Sequence, residues 1–268
     1  MAKESFFKPF YSVLVLAFVC SFLVSLASVG LRPLQESNRA LERKKNILLA
    51  AGLLHGNADD KKIDTLFAQV EPRVIDLATG TFVPPETMDP KTFDQLASTN
   101  DPQLSHPLAK DKDIAGLRRL EKYSLVYLIK DKGKLKEIVL PIRGKGLWST
   151  MYGYVAIDRD LRTIDGIAFY EHGETPGLGG EIENPAWEAG WQGKKIYDDE
   201  GKVAIKVAKG SSKAKGKAAS FEVDGLSGAT LTGNGVQRLF HFWFDDQGFK
   251  PFLERLRSEN GQEERENG

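Results

Sequence analysis

From Pro9 to Leu31, "PFYSVLVLAFVCSFLVSLASVGL", the chain carries no charged residue, and Lys8 and Arg32 bracket the run. As a helix it spans roughly 30–35 Å, about the thickness of the hydrocarbon layer of a bilayer. A helix apolar on all sides is stable in lipid or inside a large core, and little else suits it. Phe6, Phe7, Phe10 and Tyr11 place aromatic rings near one interface. A cleaved secretory signal is the competing reading. The run is long for a signal's apolar region, and Val29-Gly30-Leu31 makes a poor small-x-small cleavage site, although Ala27-Ser28 is small. A retained single-span anchor over 1–33 is the expectation. Its orientation stays open: Lys3 and Lys8 lie on one side, Arg32, Arg39, Arg43, Lys44 and Lys45 on the other. That count alone would leave the following domain in the cytoplasm, yet long domains translocate largely regardless of such charges.

After the anchor, 34–58 reads as a helical stalk, rich in Leu, Ala, Glu, Arg and Lys and ending near Gly52 and Gly56. A second helix follows, capped by Asp59 or Asp60, with Ile63, Leu66, Phe67 and Val70 at helical spacing and Pro72 marking its end. "RVIDLATGTFV" predicts a strand with a turn at Gly80. Five prolines between 84 and 110 predict a long irregular excursion within the 59–141 portion of a soluble domain. "YSLVYLIKDKGKLKEIVLPI" is a hairpin turning at Asp131-Lys132-Gly133-Lys134. "RTIDGIAFYEHGE", "KVAIKVAKG" and "AASFEV" predict further strands, 185–191 a short helix, and 258–268 a polar, frayed tail. Strands come as hairpins and isolated runs without strand–helix–strand alternation. The fold class is therefore α+β: one transmembrane helix, then a mainly antiparallel sheet with flanking helices.

Composition removes several functions. Lys plus Arg equals Asp plus Glu, 37 each, which argues against nucleic-acid binding. Cys20 is the one cysteine, so neither a disulfide, a cysteine zinc site nor an iron–sulfur cluster can be built from this chain. Any redox role must rest on an organic cofactor. No Gly-x-Gly-x-x-Gly opens a helix, which argues against NADH binding, and the basic loop 210–219 lacks the spacing of a Walker loop. No Gly-x-Ser-x-Gly supports a hydrolase. His172 beside Glu174 lacks a third ligand, and His55, His106 and His241 are scattered, so no metal site and no catalytic group is expected.

One segment invites a ligand. In "DGLSGATLTGNGVQRLFHFWF", glycines and small hydroxyl residues precede a helix bearing Val236, Leu239, Phe240, Trp243 and Phe244. A strand–turn–helix junction aims free N–H groups and the positive end of the helix dipole at one point, where a phosphate is stabilised. The plain alternative is a capped helix start, with Ser227, Thr230 or Thr232 as the cap and Asp224 ordering the turn. The full Asp224-x-x-Ser227-Gly228-Ala229-Thr230 pattern resembles the flavinylation motif of FMN-binding domains in membrane redox pumps. "LRPLQESNRALERKKNILLAAGL", "GKGLWSTMYGYVAID" and "FYEHGETPGLGGEIENPAW" extend the resemblance over nearly the whole chain, to the NqrC family of sodium-translocating NADH:quinone reductases.

That resemblance implies an FMN-binding domain over 142–257. It implies FMN esterified to Thr230 through its phosphate by a separate flavin transferase using FAD. Ser227, Gly228, Ala229 and Asp224 would surround the linkage. Thr175, Gly177, Leu178 and Gly179 of "HGETPGLGG" would help form the flavin site, although as a fragment that stretch reads as a strand-ending turn at Pro176-Gly177. Trp148 would either stack near the flavin or fill the core, with Ser149 and Thr150 as further hydrogen-bonding partners. The resemblance further implies partner subunits of the A, B, D, E and F types and a bacterial inner membrane location. It puts the N-terminus in the cytoplasm and the flavin domain on the periplasmic face. The RnfG family of electron-transport proteins shares the motif but is less similar in the stalk. A non-redox anchored assembly module is the reading from a different class.

Overall fold

The computed structural model describes residues 7–56 and 58–266, and the chain divides into two units, one ending at Arg43 and one beginning at Lys44. In the first unit the helix α1, Phe7–Ala50 over its full length, runs without interruption through Pro33. Its apolar side chains from Phe10 to Leu34 are exposed. α1 is long and apolar enough to cross a membrane.

In the second unit the last turns of α1 are core. Ile47, Leu48, Ala50 and Ala51 are buried, as is Leu54 just beyond. Gly52, at φ +61°, ends the helix: its N–H donates to the Leu49 carbonyl at 3.0 Å and the Leu53 N–H to Leu48 at 2.9 Å. Only glycine holds that left-handed cap cheaply. The stalk expected over 34–58 is therefore packed into the soluble unit along its second half.

α2 (Asp60–Phe67) starts at Asp59, whose carboxylate accepts from Lys62 N. It ends before Pro72, because Pro72 lies inside β1 (Val70–Asp76). β2 (Phe82–Val83) pairs with β1 only at Val74 and Ile75, so Pro72 sits where that side of the strand has no partner and needs no N–H. The excursion that follows holds α3 (Gln95–Ser98), β3 (Ser105–Pro107) and β4 (Arg119–Glu121). Then come β5 (Tyr123–Asp131), β6 (Lys134–Lys145), β7 (Thr150–Asp158) and β8 (Ile164–Glu171). Six strands make one sheet, in the order β2-β1-β5-β6-β7-β8, antiparallel throughout. Because β6 runs through residue 141, a division at 141/142 cuts a strand.

The hairpin turns at Lys132 and Gly133, both at positive φ (51° and 82°), the two-residue turn whose twist matches its strands. α4 (Pro185–Ala189) is capped by Asn184. "KVAIKVAKG" yields only β9 (Lys206–Val207), and "AASFEV" forms a 3₁₀ turn before β10 (Glu222–Val223). β9 and β10 pair in parallel. α5 (Thr230–Trp243) and α6 (Lys250–Glu266) complete the chain; the tail expected to fray is helical to Glu266, and residues 267–268 lie outside the described residues.

The sheet is apolar on both faces. Ile138, Leu140, Ile142, Val155 and Ile167 join Val236, Leu239, Phe240 and Trp243 of α5 in one cluster. Alternate residues, among them Val139, Tyr127 and Ala156, are buried on the opposite face. There Gly166 permits close approach: a Cβ on it would lie 2.2 Å from the Ala50 carbonyl oxygen.

Candidate functional site

Each residue of Asp224–Thr230 has a distinct place. The Asp224 carboxylate accepts from Ser212 N at 2.6 Å and its carbonyl from Trp187 Nε1 at 2.7 Å, which ties the basic loop and α4 to the motif. Gly225 touches backbone: a Cβ there would lie 2.0 Å from the Ala208 carbonyl oxygen. We expect Gly225→Ala to displace the whole turn and to cost at least ~2 kcal/mol, measured by equilibrium unfolding. Leu226 and Ala229 are buried, Ser227 is exposed, and Gly228 turns the chain at φ +69°.

α5 then begins without a cap. Ala229 occupies the capping position and no side chain bonds to the helix end. Among the described residues, the N–H groups of Thr230, Leu231 and Thr232 meet no protein acceptor, and the first helical bond is Gly233 N to the Ala229 carbonyl. None of the three expected caps serves. Thr232 is buried and its hydroxyl donates to Glu174 Oε2 at 2.6 Å. Thr230 is exposed, and among the described residues no hydrogen bond holds its hydroxyl. A helix of 14 residues thus presents free donors and the positive end of its dipole beside an unengaged alcohol.

The second glycine stretch packs against this start. After β8, the Thr175 carbonyl accepts from Leu178 N at 3.1 Å and from Gly180 N at 2.9 Å, closing a turn with Gly177 at φ +74°. Leu178 is 44 % exposed, and its Cδ2 comes within 3.0 Å of where a Cβ on Gly228 would stand. Gly179 is buried, and a Cβ on it would meet Thr232 Oγ1 at 2.5 Å. Trp148 is 66 % exposed, so its ring does not fill the core; Leu147 and Leu231 are exposed as well. Ser149 Oγ accepts from Gly173 N at 2.5 Å and donates to the Thr150 carbonyl at 3.1 Å.

Sequence reasoning misses Glu174 as a site residue. It is 4 % exposed. Its carboxylate accepts from Leu147 N, Trp148 N and Ser149 N at 3.2, 2.9 and 3.4 Å, besides Thr232 Oγ1. Burial pushes its pKa up, but the hydrogen bonds from Thr232 and the three amides outweigh that and hold it below the usual carboxylate value. Its position between glycines is the available signal. His172 plays a different part. Its Nδ1 accepts from Glu174 N at 3.1 Å, while its Nε2 lies 2.9 Å from Glu183 Oε1 at an angle that makes no hydrogen bond. Among the described residues no group of three metal-ligating side chains converges.

The site is thus an uncapped helix start set among two glycine turns, on a mainly antiparallel sheet backed by that helix. The FMN-binding domain family matches residues 146–245. The chain is 44% identical over 256 residues to the C subunit of the Na(+)-translocating NADH-quinone reductase of Pseudomonas aeruginosa, covering 95% of this chain and 97% of that one. It is 46% identical over 259 residues to the corresponding C subunit of Vibrio vulnificus, covering 96% and 98%. The crystal structure of Shewanella oneidensis NqrC matches with a TM-score of 0.73 and 38% identity, covering 81% of this chain and 97% of that one. The chain belongs to the NqrC family, the C subunits of Na(+)-translocating NADH-quinone reductases.

Proposed function

We propose that this chain is the membrane-anchored flavin carrier of a sodium-translocating NADH:quinone reductase, holding FMN through a phosphoester on Thr230. One observation carries the attachment point: Thr230 is an exposed threonine at the first position of an uncapped helix, with an unengaged hydroxyl. A phosphodiester there keeps one negative charge, and the N–H groups of Thr230, Leu231 and Thr232 stand ready to stabilise it. Gly228 holds the turn at positive φ and leaves room for Leu178 Cδ2, 3.0 Å from where a Cβ on Gly228 would stand. The exposed apolar side chains of Trp148 and Leu178 suit a flat aromatic ring, and Thr175 and Ser227 offer hydroxyls at the rim. Asp224 braces the turn through its bond from Ser212 N.

FMN supplies one- and two-electron chemistry when bound, and the protein's part is to place the ring and set its electrostatics. A covalent tether suits a site this open to water. In this reading the chain is a carrier that relays electrons within a larger assembly. The relatives are C subunits of Na(+)-translocating NADH-quinone reductases, which supports a role within NADH oxidation, quinone reduction and sodium transport. Sodium export, partner subunits of the A, B, D, E and F types and a flavin transferase for maturation belong to the same proposal. In this reading α1, long and apolar enough to span a bilayer, is the single-span anchor in the bacterial inner membrane, and the flavin domain lies on the periplasmic side. Protease added to intact spheroplasts is expected to digest the region beyond residue 44; a protected domain would overturn that orientation.

Thr230→Val tests the attachment. Because Thr230 is exposed, the change is expected to alter stability by less than about 0.5 kcal/mol. In cells that make the transferase, the wild-type band should fluoresce as a flavin on a denaturing gel, and the Thr230→Val band should be dark at equal protein level. A wild-type band without flavin would favour the assembly-module reading.

A further inference from the structure

We propose that Glu174 is the positioning residue of this site: its buried carboxylate clamps the 147–149 loop onto the start of α5 and so fixes Trp148 relative to Thr230. Three separate pieces of chain meet on that one group. The loop between β6 and β7 gives three consecutive amides, α5 gives the Thr232 hydroxyl, and Glu174 itself comes from the turn after β8. Thr232 lies two residues beyond Thr230, less than one helical turn away. The four bonds therefore link the exposed Trp148 ring and the Thr230 alcohol through a single rigid joint.

The seat of the carboxylate is built for it. A Cβ on Gly146 would lie 2.5 Å from Glu174 Oε1, and one on Gly179 would lie 3.0 Å from Oε2. Both glycines leave room that any other residue would fill. Lys145 Nζ donates to the Trp148 carbonyl at 3.0 Å, which steadies the same loop from its other side. Among the described residues no cation pairs with Glu174. The joint is thus a charge solvated by N–H and O–H dipoles, and a neutral isostere cannot reproduce it: a glutamine amide would turn an N–H₂ toward donors.

The loop-clamping part of this inference stands on contacts within the protein, and its consequence for a cofactor rests on the flavin reading above. Two readouts separate them. In the full-length detergent-solubilised chain, Glu174→Gln is expected to speed hydrogen exchange at the amides of residues 147–149 at least about tenfold, with the β6 and β7 amides unchanged. In flavinylated protein the same variant should shift the flavin midpoint potential upward, because a fixed negative charge has been removed beside it. Unchanged exchange at 147–149 in folded Glu174→Gln overturns the clamp. An unchanged potential beside faster exchange overturns its consequence for the flavin. Absence of flavin in the wild type would sink the carrier reading and leave the exchange test standing. If Glu174→Gln does not fold, Thr232→Val decides: it removes one of the four donors and keeps the charge. Exchange at 147–149 should then rise severalfold, and wild-type rates would overturn the proposal.

Discussion

Glu121→Ala is expected to lower the unfolding free energy by ~3–5 kcal/mol, the cost of leaving a buried partner charge uncompensated. Glu121 is fully buried and faces Arg143 in a two-pronged pair, Nη1 to Oε1 at 2.7 Å and Nη2 to Oε2 at 2.6 Å. Gln95 joins them: its Nε2 donates to Glu121 Oε1 at 2.7 Å and to Ser124 Oγ at 2.9 Å, while its Oε1 accepts from Leu125 N at 2.9 Å. Arg143 also lies over the Trp243 ring, whose Nε1 donates to the Arg143 carbonyl at 2.7 Å. Truncation would strand the guanidinium and one Gln95 donor, and would loosen α3 from the sheet. Replacing the pair with Glu121→Leu and Arg143→Met together should cost far less, since a packed apolar pair avoids both desolvation terms. Denaturant unfolding of the two variants measures the contrast. Similar losses for both would show that the pair does not act as a unit.

The second large effect concerns Glu137. It lies on β6, fully buried, and among the described residues neither carboxylate oxygen has a hydrogen-bond partner. Burial pushes its pKa up to about 8, with Asp165 and Asp158 adding to the rise and Lys136 opposing it. In the folded chain Glu137 therefore keeps a proton that the unfolded chain releases near 4.5. Over that window the native state binds the extra proton, so stability falls as pH rises and levels off above about 8. At about 1.4 kcal/mol per unit the limit is about 5 kcal/mol, and relaxation around the carboxylate brings the expected loss to roughly 2–3 kcal/mol. Glu188, raised to about 7 mainly by burial, adds a slope of the same sign. Glu137→Gln removes only the first contribution. Unfolding free energies at pH 5.5 and pH 9 should converge more closely in the variant than in the wild type, and the variant should be the more stable at the higher value. Parallel curves would mean that Glu137 ionises normally.

What is legible in the sequence follows the range of the forces involved. The apolar run of α1 and the Lys132-Gly133 hairpin are local: one depends on side-chain type, the other on backbone angles that glycine favours. The division into an apolar helix and an antiparallel sheet follows from them. β7 escapes a sequence reading because "TMYGYVAID" is buried on both faces and so does not alternate, and because Gly153 and the glycines just before it weaken the strand signal. Pro72 reads as a helix stop, whereas its real tolerance comes from the short reach of β2. The two glycine stretches are each visible as turns, but their mutual packing through Gly179 and Thr232 joins residues far apart in the chain. The same holds for Glu174 and Glu121. A buried carboxylate is chosen by its partners, and no spacing rule in one sequence reveals partners 58 or 22 residues away.

Covalent flavin on Thr230 is tested most directly by intact mass of the chain from cells that make the transferase, with peptide mapping across 224–238. The expected result is the mass of one FMN less one water, carried on the peptide containing Thr230 and on no other. Flavin mapped to a different residue, or an unmodified peptide from protein that still supports electron transfer in the assembled complex, would contradict it.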